Sequence, residues 1–331
     1  MDPFKAYLIE QHEAGVGGRF VEFAPENLDP GEVTIRVAYS SINYKDALAA
    51  TGAGRIIRRL PCIGGIDLAG TVLESSDARF AAGEAVLATS YDIGVAHHGG
   101  FAQFARIPAG WVVPLPHGLS LFEAMALGTA GFTAALGIQR LEDNGMGPDG
   151  GPVAVTGATG GVGSLVVDML AKRGYEVVAI TGKDGEHEYL RHLGAAEVRS
   201  RHTLDLGTRP LEKATWAGAY DCVGGPMAAW LTRSMKQGAS IACAGNAGGI
   251  EMHTTVLPFI LRGNNLLGVD SGYWPMAGRT RIWERLAGEM RPPHLAEIAT
   301  SIAFDALPGA FEDFLHARVR GRVVVEVAGD A

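Results

Sequence analysis

The sequence predicts an α/β protein with two parts: a strand-rich, partly barrel-like domain, followed by a doubly wound parallel sheet. Short β-branched segments bounded by glycine or proline turns fill the region before Pro114, and closely spaced strands of this kind are typical of antiparallel barrels. After Pro152, strands and amphipathic helices alternate, which indicates βαβ units and a parallel sheet. The chain has 331 residues, which is enough for two domains.

Individual elements follow from the same patterns. Ser120 and Glu123 form a predicted capping box, in which each side chain bonds the other residue's backbone N–H, and it opens an apolar helix through Ala135. Before it, strands are predicted at Val33–Ser40, Val86–Ser90 and Phe101–Ile107. The parallel sheet and its helices are predicted, in chain order, at Val153–Thr156, helix Leu165–Arg173, Glu176–Thr181, helix Glu188–Leu193, Ala219–Val223, Ser240–Ala244 and Leu266–Asp270.

In the C-terminal part of the chain, a helix is predicted from about Trp283. The segment Phe304–Leu315 follows it, and then a strand is predicted at Val323–Val327. The order of elements predicts a first domain over residues 1–119 and a parallel-sheet domain over 120–272. Residues 273–331 are expected to form a helix and to return to the first domain.

Composition and charge favour a cytoplasmic globular protein. The net charge of −8 and the hydrophobic share of 47% disfavour broad binding to nucleic-acid phosphates. No segment approaches the roughly 18 consecutive apolar residues of a membrane helix, and the N-terminus lacks the apolar core of a signal peptide. Cys62, Cys222 and Cys243 are too widely spaced for a metal knuckle or a disulfide framework. We therefore expect neither a nucleic acid nor a membrane as a partner.

A glycine-rich turn, VAVTGATGGVGS at residues 153–164, joins a buried strand to a helix. Gly157 permits the tight turn, Gly160 lets the backbone approach a pyrophosphate, and Gly163 lets the helix pack against the sheet. The helix N-terminus favours an anion. We predict dinucleotide binding, with a structural turn as the alternative; the missing GK[ST] motif excludes a P-loop. The residues predicted to contact the dinucleotide here are Thr159, Gly160, Gly161 and Val162.

The end of the second strand of this sheet indicates which dinucleotide binds. An NAD site usually has an acidic residue there, whereas this strand ends in Thr181, Gly182 and Lys183, which suit a 2′-phosphate. Asp184 comes one residue too late for the NAD role. We therefore predict NADPH as the cofactor; a solvated lysine in a loop is the alternative. Arg199 or Arg201, after the third strand, is expected to add to the phosphate site unless it is a surface arginine.

Polar residues also follow the later strands. Ligands of doubly wound sheets bind outside the carboxyl ends of the strands, where Asn246, Asp270 and Ser271 fall. The side chains of Asn246 and Ser271 suit the nicotinamide carboxamide or ribose, with turn formation as an equal alternative for each, and Asp270 is predicted to contact the same cofactor.

Several motifs in order carry a resemblance to a known family. They are Asn43–Leu48, Pro61–Val72, Thr156–Gly163, Asn265–Ser271 and Val319–Val323. Together they resemble the acrylyl-CoA reductase family, in the zinc-free, quinone-oxidoreductase-like branch of the medium-chain dehydrogenase/reductase superfamily. The zinc ligands of that superfamily's alcohol dehydrogenases are missing: Ser41–Asp46 contains no cysteine, and Ile66 stands where those enzymes have a histidine. No metal is therefore expected.

The resemblance implies both a fold and an activity. The strand-rich domain would be GroES-like and catalytic, and the enzyme would be a cytoplasmic homodimer that reduces acrylyl-CoA to propionyl-CoA with NADPH. The exposed edge after Leu266–Asp270 would be the dimer contact. A general NADPH-dependent quinone or enone reductase is the alternative. A non-catalytic NADPH sensor or an RNA-binding protein is a further one, which the acidic charge disfavours.

Catalytic candidates come from the same motifs. Tyr44 is the leading candidate to donate a hydrogen bond to the thioester oxygen, or to position substrate and cofactor. Asp67 is expected to orient Tyr44 or Lys45. In each case simple packing or loop formation is the alternative. A basic cluster is a candidate site for CoA phosphates, although most such clusters are solvated surface; it consists of Arg55, Arg58 and Arg59.

Overall fold

The computed structural model describes residues 1–13 and 15–328, which form two compact units. The first unit comprises the described residues of Met1–Thr129, Gly272–Gly288 and Leu295–Ala331, and the second comprises Ala130–Ser271 and Glu289–His294. The domain boundaries expected at residues 1–119, 120–272 and 273–331 stay predictions. The short segment Glu289–His294, which belongs to the second unit, has no counterpart in them.

The bounds of the elements within the described residues are as follows. The strands are β1 Phe4–His12, β2 Gly15–Phe23, β3 Val33–Ile42, β4 Cys62–Ile63, β5 Asp67–Ser75, β6 Ala85–Thr89, β7 Phe104–Ile107, β8 Val112–Pro114, β9 Val153–Thr156, β10 Val177–Thr181, β11 Glu197–Ser200, β12 Trp216–Asp221, β13 Met235–Cys243, β14 Asn265–Gly268, β15 Ala299–Ala303 and β16 Arg322–Glu326. The helices are α1 Tyr44–Thr51, α2 Leu121–Asp143, α3 Gly161–Lys172, α4 His187–His192, α5 Gly225–Ser234, α6 Leu257–Arg262, α7 Met276–Ala287, α8 Leu295–Ile298 and α9 Leu307–Leu315.

The second unit is built on a six-stranded sheet in the order β11-β10-β9-β12-β13-β14, with every pair parallel. All residues of β9 and β10 are buried and apolar or threonine, as expected for a parallel sheet covered on both faces. The chain runs outward from β9 through β10 to β11 and then returns to β12. This reversal between β9 and β12 is the topological switch point, where ligands of such sheets bind.

The first unit contains two sheets that are antiparallel except at one edge. The larger has the order β15-β16-β3-β5-β6-β8, with β7 also paired to β3, and only β15 and β16 are parallel. A smaller sheet has the order β2-β1-β4. Alternating side chains of these strands form two apolar cores, one of them around Val37, Leu68 and Val86. The predicted fold class, an antiparallel unit with a doubly wound parallel sheet, is confirmed.

Helix α2 is the one described helix long and apolar enough to span a membrane, but 78% of its most apolar window is buried, so it is a core helix. The predicted capping box is present at its start: Glu123 N–H donates to Ser120 Oγ at 3.1 Å, and Ser120 N–H donates to Glu123 Oε2 at 3.0 Å. The helix kinks at Gly128, whose φ of 50° is left-handed.

Some predicted bounds differ from the structure. The β1–β2 hairpin was not placed from the sequence, and β14 ends at Gly268, so that Asp270 lies beyond the strand. The helix expected from about Trp283 is α7, which begins earlier, at Met276, because Pro275 sets its N-terminus. Strand ends are decided by pairing with neighbouring strands, which local patterns do not report.

Candidate active site

The glycine-rich turn lies at the carboxyl end of β9, beside the switch point of the second unit. Gly157 has a φ of 61°, which favours glycine, and Gly160 is the N-cap of α3. A Cβ atom on Gly163 would lie 2.3 Å from the Gly157 carbonyl oxygen, so α3 packs against the turn too closely for another residue. The first turn of α3 therefore presents backbone N–H groups at this edge, and the cradle fits a pyrophosphate.

The loop after β10 brings hydroxyl and cationic residues together. Thr181 Oγ1 lies 3.1 Å from Thr159 Oγ1 and accepts from the Lys183 N–H at 3.0 Å. Arg201 covers Gly182, where a Cβ atom would lie 2.4 Å from Arg201 Nε. The Arg201 N–H also donates to the Thr181 carbonyl oxygen at 2.7 Å. Two cationic residues thus flank Gly182 at the position predicted for a 2′-phosphate.

Arg199 has different partners. Its guanidinium donates to both carboxylate oxygens of Glu197, at 2.7 and 2.9 Å, and lies 5.1 Å from the centre of a Trp216 ring. A bidentate ion pair and a cation–π contact hold this side chain on β11. Of the two arginines considered from the sequence, Arg201 is the one beside Gly182. A cofactor contact of Arg199 stays a prediction, which its present partners disfavour.

The residues predicted for the nicotinamide half follow β13 and β14. Asn246 is exposed in the turn after β13, and Asp270 is exposed two residues beyond β14. Ser271 Oγ accepts from the Thr133 hydroxyl at 2.7 Å. Because β13 and β14 run parallel to β9, all three follow the same edge of the sheet as the glycine-rich turn. Their cofactor contacts stay predictions.

In the first unit, Asp67 is the centre of a buried polar cluster. Its Oδ2 accepts from Ser41 Oγ, Asn43 Nδ2 and the Thr129 N–H at 2.8, 2.8 and 2.9 Å. The Thr129 hydroxyl donates to Oδ1. Arg322 Nη2 lies 3.9 Å from Asp67 Oδ2 and donates to Ser41 Oγ at 2.9 Å. Burial of a carboxylate is tolerated when it is paired and hydrogen-bonded in this way.

Strand pairing in the first unit builds this cluster. Ser41 is at the end of β3, which pairs with β5, where Asp67 is the first residue, and with β16, where Arg322 is the first residue. Gly128 completes the cluster, because a Cβ atom there would lie 2.6 Å from Asp67 Oδ2. The kink in α2 therefore requires glycine.

Asp46 adds a second buried carboxyl group. It accepts from the Asn43 N–H at 2.8 Å and from the Ile66 N–H at 3.0 Å. Burial, with a smaller contribution from the charge of Asp67, raises the pKa of Asp46 from 3.8 to about 7. Burial also lowers the pKa of the Arg322 guanidinium, although Asp67 and Asp46 act against this shift. Asp46 is thus a carboxyl group that can hold a proton near neutral pH.

Tyr44, the predicted donor, is the first residue of α1, and its side chain is half exposed. The hypothesis that Asp67 orients Tyr44 or Lys45 is not supported: among the described residues, Asp67 bonds to Ser41, Asn43 and Thr129 instead. The reason is that Asp67 points to the strand ends and to the α2 kink. Catalytic roles for Tyr44 and Asp67 stay predictions.

Two of the three arginines predicted to bind CoA phosphates already pair with carboxylates. Arg59 makes a bidentate contact with Asp29, and Arg58 contacts Asp92 and donates to the Tyr273 hydroxyl at 2.7 Å. Arg55 is exposed on the same loop. A phosphate role for Arg58 or Arg59 therefore requires an exchange of partners, or use of the N–H groups that remain.

The groups that surround Asp67 do not fit a zinc ion. Around Asp67 the neighbouring groups are hydroxyls, amides and the Arg322 guanidinium, whose positive charge opposes a cation at this position. His97 and His98 bond to backbone groups of Pro30 and Ile63. Zinc therefore has no part in the chemistry that we derive.

A parallel sheet with a glycine-rich turn at its switch point, in one chain with an antiparallel unit, defines a dinucleotide-dependent oxidoreductase. Residues 29–117 match the family of alcohol dehydrogenase GroES-like domains, and residues 161–287 match the zinc-binding dehydrogenases. The chain belongs to the medium-chain dehydrogenase/reductase superfamily and is an NAD(P)H-dependent oxidoreductase. The family recognised from the motifs is thereby confirmed.

Similar proteins cover nearly the whole chain. YhfP of Bacillus subtilis strain 168, which carries a quinone oxidoreductase name, is 49% identical over 98% of this chain and 99% of its own. The acrylyl-CoA reductase AcuI of Ruegeria pomeroyi is 48% identical over 98% of this chain and 99% of its own. The names of these two relatives, a quinone oxidoreductase and an acrylyl-CoA reductase, match the family that the motifs indicated.

Solved structures agree with the fold. The YhdH oxidoreductase of Salmonella enterica, in complex with NADP, is 45% identical with a TM-score of 0.95, and covers 98% of this chain and 99% of its own. YhfP of Bacillus subtilis with NAD bound is 48% identical with a TM-score of 0.95, and covers 99% and 100%. Close relatives have thus been crystallised with either dinucleotide.

The cluster around Asp67 includes residues that sequence reasoning missed. Ser41, Asp46, Thr129 and Arg322 were not singled out as site residues, although Asp46 and Arg322 fall within motifs that carry the resemblance. A signal for Arg322 existed: an arginine that begins an apolar strand needs a partner when it is buried.

Proposed function

We propose that the protein reduces the carbon–carbon double bond of a small enoyl thioester with NADPH, acrylyl-CoA to propionyl-CoA being the first choice. The observation that carries the proposal is the donor set around Asp67, which consists of hydroxyls, amides and the Arg322 guanidinium and does not fit a metal ion. Without a Lewis acid, the acceptor must supply its own conjugated carbonyl to take up charge. The 48% identity to an acrylyl-CoA reductase over nearly the whole chain supports the same substrate class.

When bound, the nicotinamide would supply hydride to the β-carbon of the substrate, and a proton taken up at the α-carbon of the resulting enolate would complete the reduction. The residues that would hold the dinucleotide are Thr159, Gly160, Gly161, Val162, Thr181, Gly182, Lys183, Asn246, Asp270 and Ser271. Arg201, beside Gly182, supports a 2′-phosphate and hence NADPH over NADH.

The first unit would stabilise the negative charge that develops on the thioester oxygen. The side chain of Tyr44 is half exposed, and its phenol hydroxyl suits a hydrogen bond to that oxygen. Asn43, whose amide bonds Asp67 and accepts from Arg322 Nη1 at 3.2 Å, fixes the start of α1 and so the position of Tyr44. Asp46, whose pKa burial raises to about 7, can hold a proton near neutral pH beside this helix start.

A substrate panel tests the proposal. NADPH oxidation would be followed with acrylyl-CoA, longer enoyl-CoA esters, a simple quinone and a simple enone, each repeated with NADH. We expect the highest kcat/KM with acrylyl-CoA and NADPH. A higher value with the quinone would favour the alternative, a general quinone or enone reductase, which the name of YhfP supports. Absence of turnover with every acceptor would contradict both.

We further propose a homodimer in the cytoplasm. Strand β14 is an edge of the six-stranded sheet. Together with α6 and the residue that caps it, this edge carries four exposed large apolar side chains, which a dimer contact would cover: Val256, Ile260, Leu261 and Leu266. Light scattering is expected to give twice the chain mass of 34.7 kDa, and the exposed-face variant I260D is expected to give the mass of a single chain. A wild-type protein of single-chain mass would contradict the dimer.

A further inference from the structure

Thr156 and Asp221 are bonded to each other at the switch point of the parallel sheet. They are the last residues of β9 and β12, the two central strands, and both are almost fully buried. The Thr156 hydroxyl donates to Asp221 Oδ1, and the Cys222 N–H donates to Thr156 Oγ1 at 3.1 Å. One hydroxyl thus connects the glycine-rich turn after β9 to the turn after β12.

Asp221 also fixes the turn that follows it. Its Oδ2 accepts from the Gly224 N–H at 2.9 Å, and its Oδ1 accepts from the Val223 N–H at 3.2 Å. Gly224 and Gly225 have φ of 70° and 55°, so this turn has a backbone that few residues adopt. A single carboxylate therefore determines the path of residues 222–225.

The two turns contact each other closely. A Cβ atom on Gly157 would lie 3.3 Å from Cys222 Cβ and 3.3 Å from a Val223 methyl group. A Cβ atom on Gly248, in the turn after β13, would lie 2.7 Å from the other Val223 methyl group. The side chain of Val223 is thus held between the glycine-rich turn and the turn after β13, at the edge where the dinucleotide would lie.

A buried carboxylate is costly, and burial raises the pKa of Asp221. An apolar residue would pack in the strand without this cost. The three hydrogen bonds go to the last residue of β9 and to two residues of the turn after β12, so they fix the points at which the turns leave the sheet. We infer that Thr156 and Asp221 are positioning residues for the dinucleotide, which hold the turns after β9 and β12 at the spacing that the cofactor needs. The inference rests on the proposed binding of NADPH.

Paired variants test the inference through the hydroxyl. T156V keeps a β-branched side chain in the strand but removes the donor, whereas T156S keeps the donor. We expect T156V to raise the Kd and the KM for NADPH about tenfold, with kcat at saturating NADPH unchanged, because one buried hydrogen bond is lost. T156S is expected to restore binding to near the wild-type value. T232V, which removes another buried hydroxyl on α5, is the matched control.

D221N tests the carboxylate without a change of shape. Its amide cannot accept from Thr156, Val223 and Gly224 together, so the Kd for NADPH should rise as in T156V. The effects of T156V and D221N should be less than additive in the double variant, because both act on the same bond. Variants that lower the unfolding midpoint while leaving the Kd for NADPH unchanged would overturn the inference, since the role would then be structural.

The test separates this inference from the proposed function. A wild-type protein that binds NADPH, together with variants that bind it equally well, would overturn only the positioning role. A wild-type protein that binds NADH and not NADPH would contradict the proposed cofactor. In that case the comparison of T156V with T156S, repeated with NADH, would still decide the positioning role.

Discussion

Arg322 Nη2 lies 3.9 Å from Asp67 Oδ2, and 2% and 0% of the two side chains are exposed. Arg322 also donates to the carbonyl oxygens of Ala126 and Ile42, at 3.1 and 3.2 Å. One guanidinium therefore connects β3, β5, β16 and the first part of α2 in the first unit. The polar cluster around Asp67 therefore also holds these elements of the first unit together.

Removal of the guanidinium should destabilise the first unit. In R322M the Asp67 carboxylate keeps its hydroxyl and amide donors but loses its counter-charge, and breaking one side of a buried pair costs about 3–5 kcal/mol. We expect a marked fall in the urea midpoint of unfolding. The double variant R322M/D67N, which removes both charges, should recover part of the loss. R318A, at an exposed pair with Asp313, should change the midpoint little.

Stability should depend on pH through Asp46. Its pKa is raised from 3.8 to about 7 on folding, so the unfolded chain ionises as pH rises from about 4 while the folded chain does not. The contribution of Asp46 to stability therefore falls as pH rises from about 4 to 7 and is constant above that. D46N should become relatively more stable than wild type across this window, with a limit of about 4 kcal/mol. Denaturant titrations at several pH values would measure the difference, and a difference independent of pH would contradict it.

Cofactor choice should depend on the cations beside Gly182. Replacement of Lys183 and Arg201 by alanine should raise the KM for NADPH between about tenfold and a hundredfold and leave the KM for NADH almost unchanged, because only NADPH carries the 2′-phosphate. R191A, on α4, removes an exposed arginine paired with Glu188 and is the control. An equal rise for both dinucleotides would show that these residues hold the loop and not the phosphate.

Tyr44 should affect turnover and not cofactor affinity. In Y44F the ring remains and the hydroxyl is lost, so we expect kcat with acrylyl-CoA to fall about a hundredfold, with the Kd for NADPH unchanged. Steady-state kinetics and a separate NADPH titration would measure the two quantities. Full turnover by Y44F would remove this hydroxyl from the mechanism.

The loop that carries Arg55, Arg58 and Arg59 should affect the binding of the CoA part of the substrate and not the binding of its reacting double bond. Neutral replacement of Arg55, Arg58 and Arg59 together should raise the KM for acrylyl-CoA without a matching rise for a simple enone. Arg58 and Arg59 already pair with carboxylates, so the single variant R55A is expected to cause the largest share of the change. An unchanged KM for CoA esters in the triple variant would remove the loop from substrate binding.

Local sequence patterns determined much of the nucleotide-binding unit. The glycines of the turn at residues 157–163 have fixed geometric roles, and the buried strands β9 and β10 are continuous apolar segments that are recognisable without a structure. The absence of zinc ligands was equally local, because it concerns residue types at fixed motif positions. The chemistry of these features lies within a few residues of the chain.

Only the tertiary structure decided the polar cluster and the choice between two arginines. Asp67 and Arg322 are far apart in the chain and meet because β3 pairs with β5 and β16, and Thr129 reaches Asp67 from the kink of α2. Arg199 and Arg201 are two residues apart and would share one face of a continuous strand. Because β11 ends at Ser200, their partners differ: Arg199 meets Glu197 and Trp216, and Arg201 meets Gly182. Periodicity predicts that a residue is buried or exposed, whereas its partner depends on strand register and on the path of the following turn.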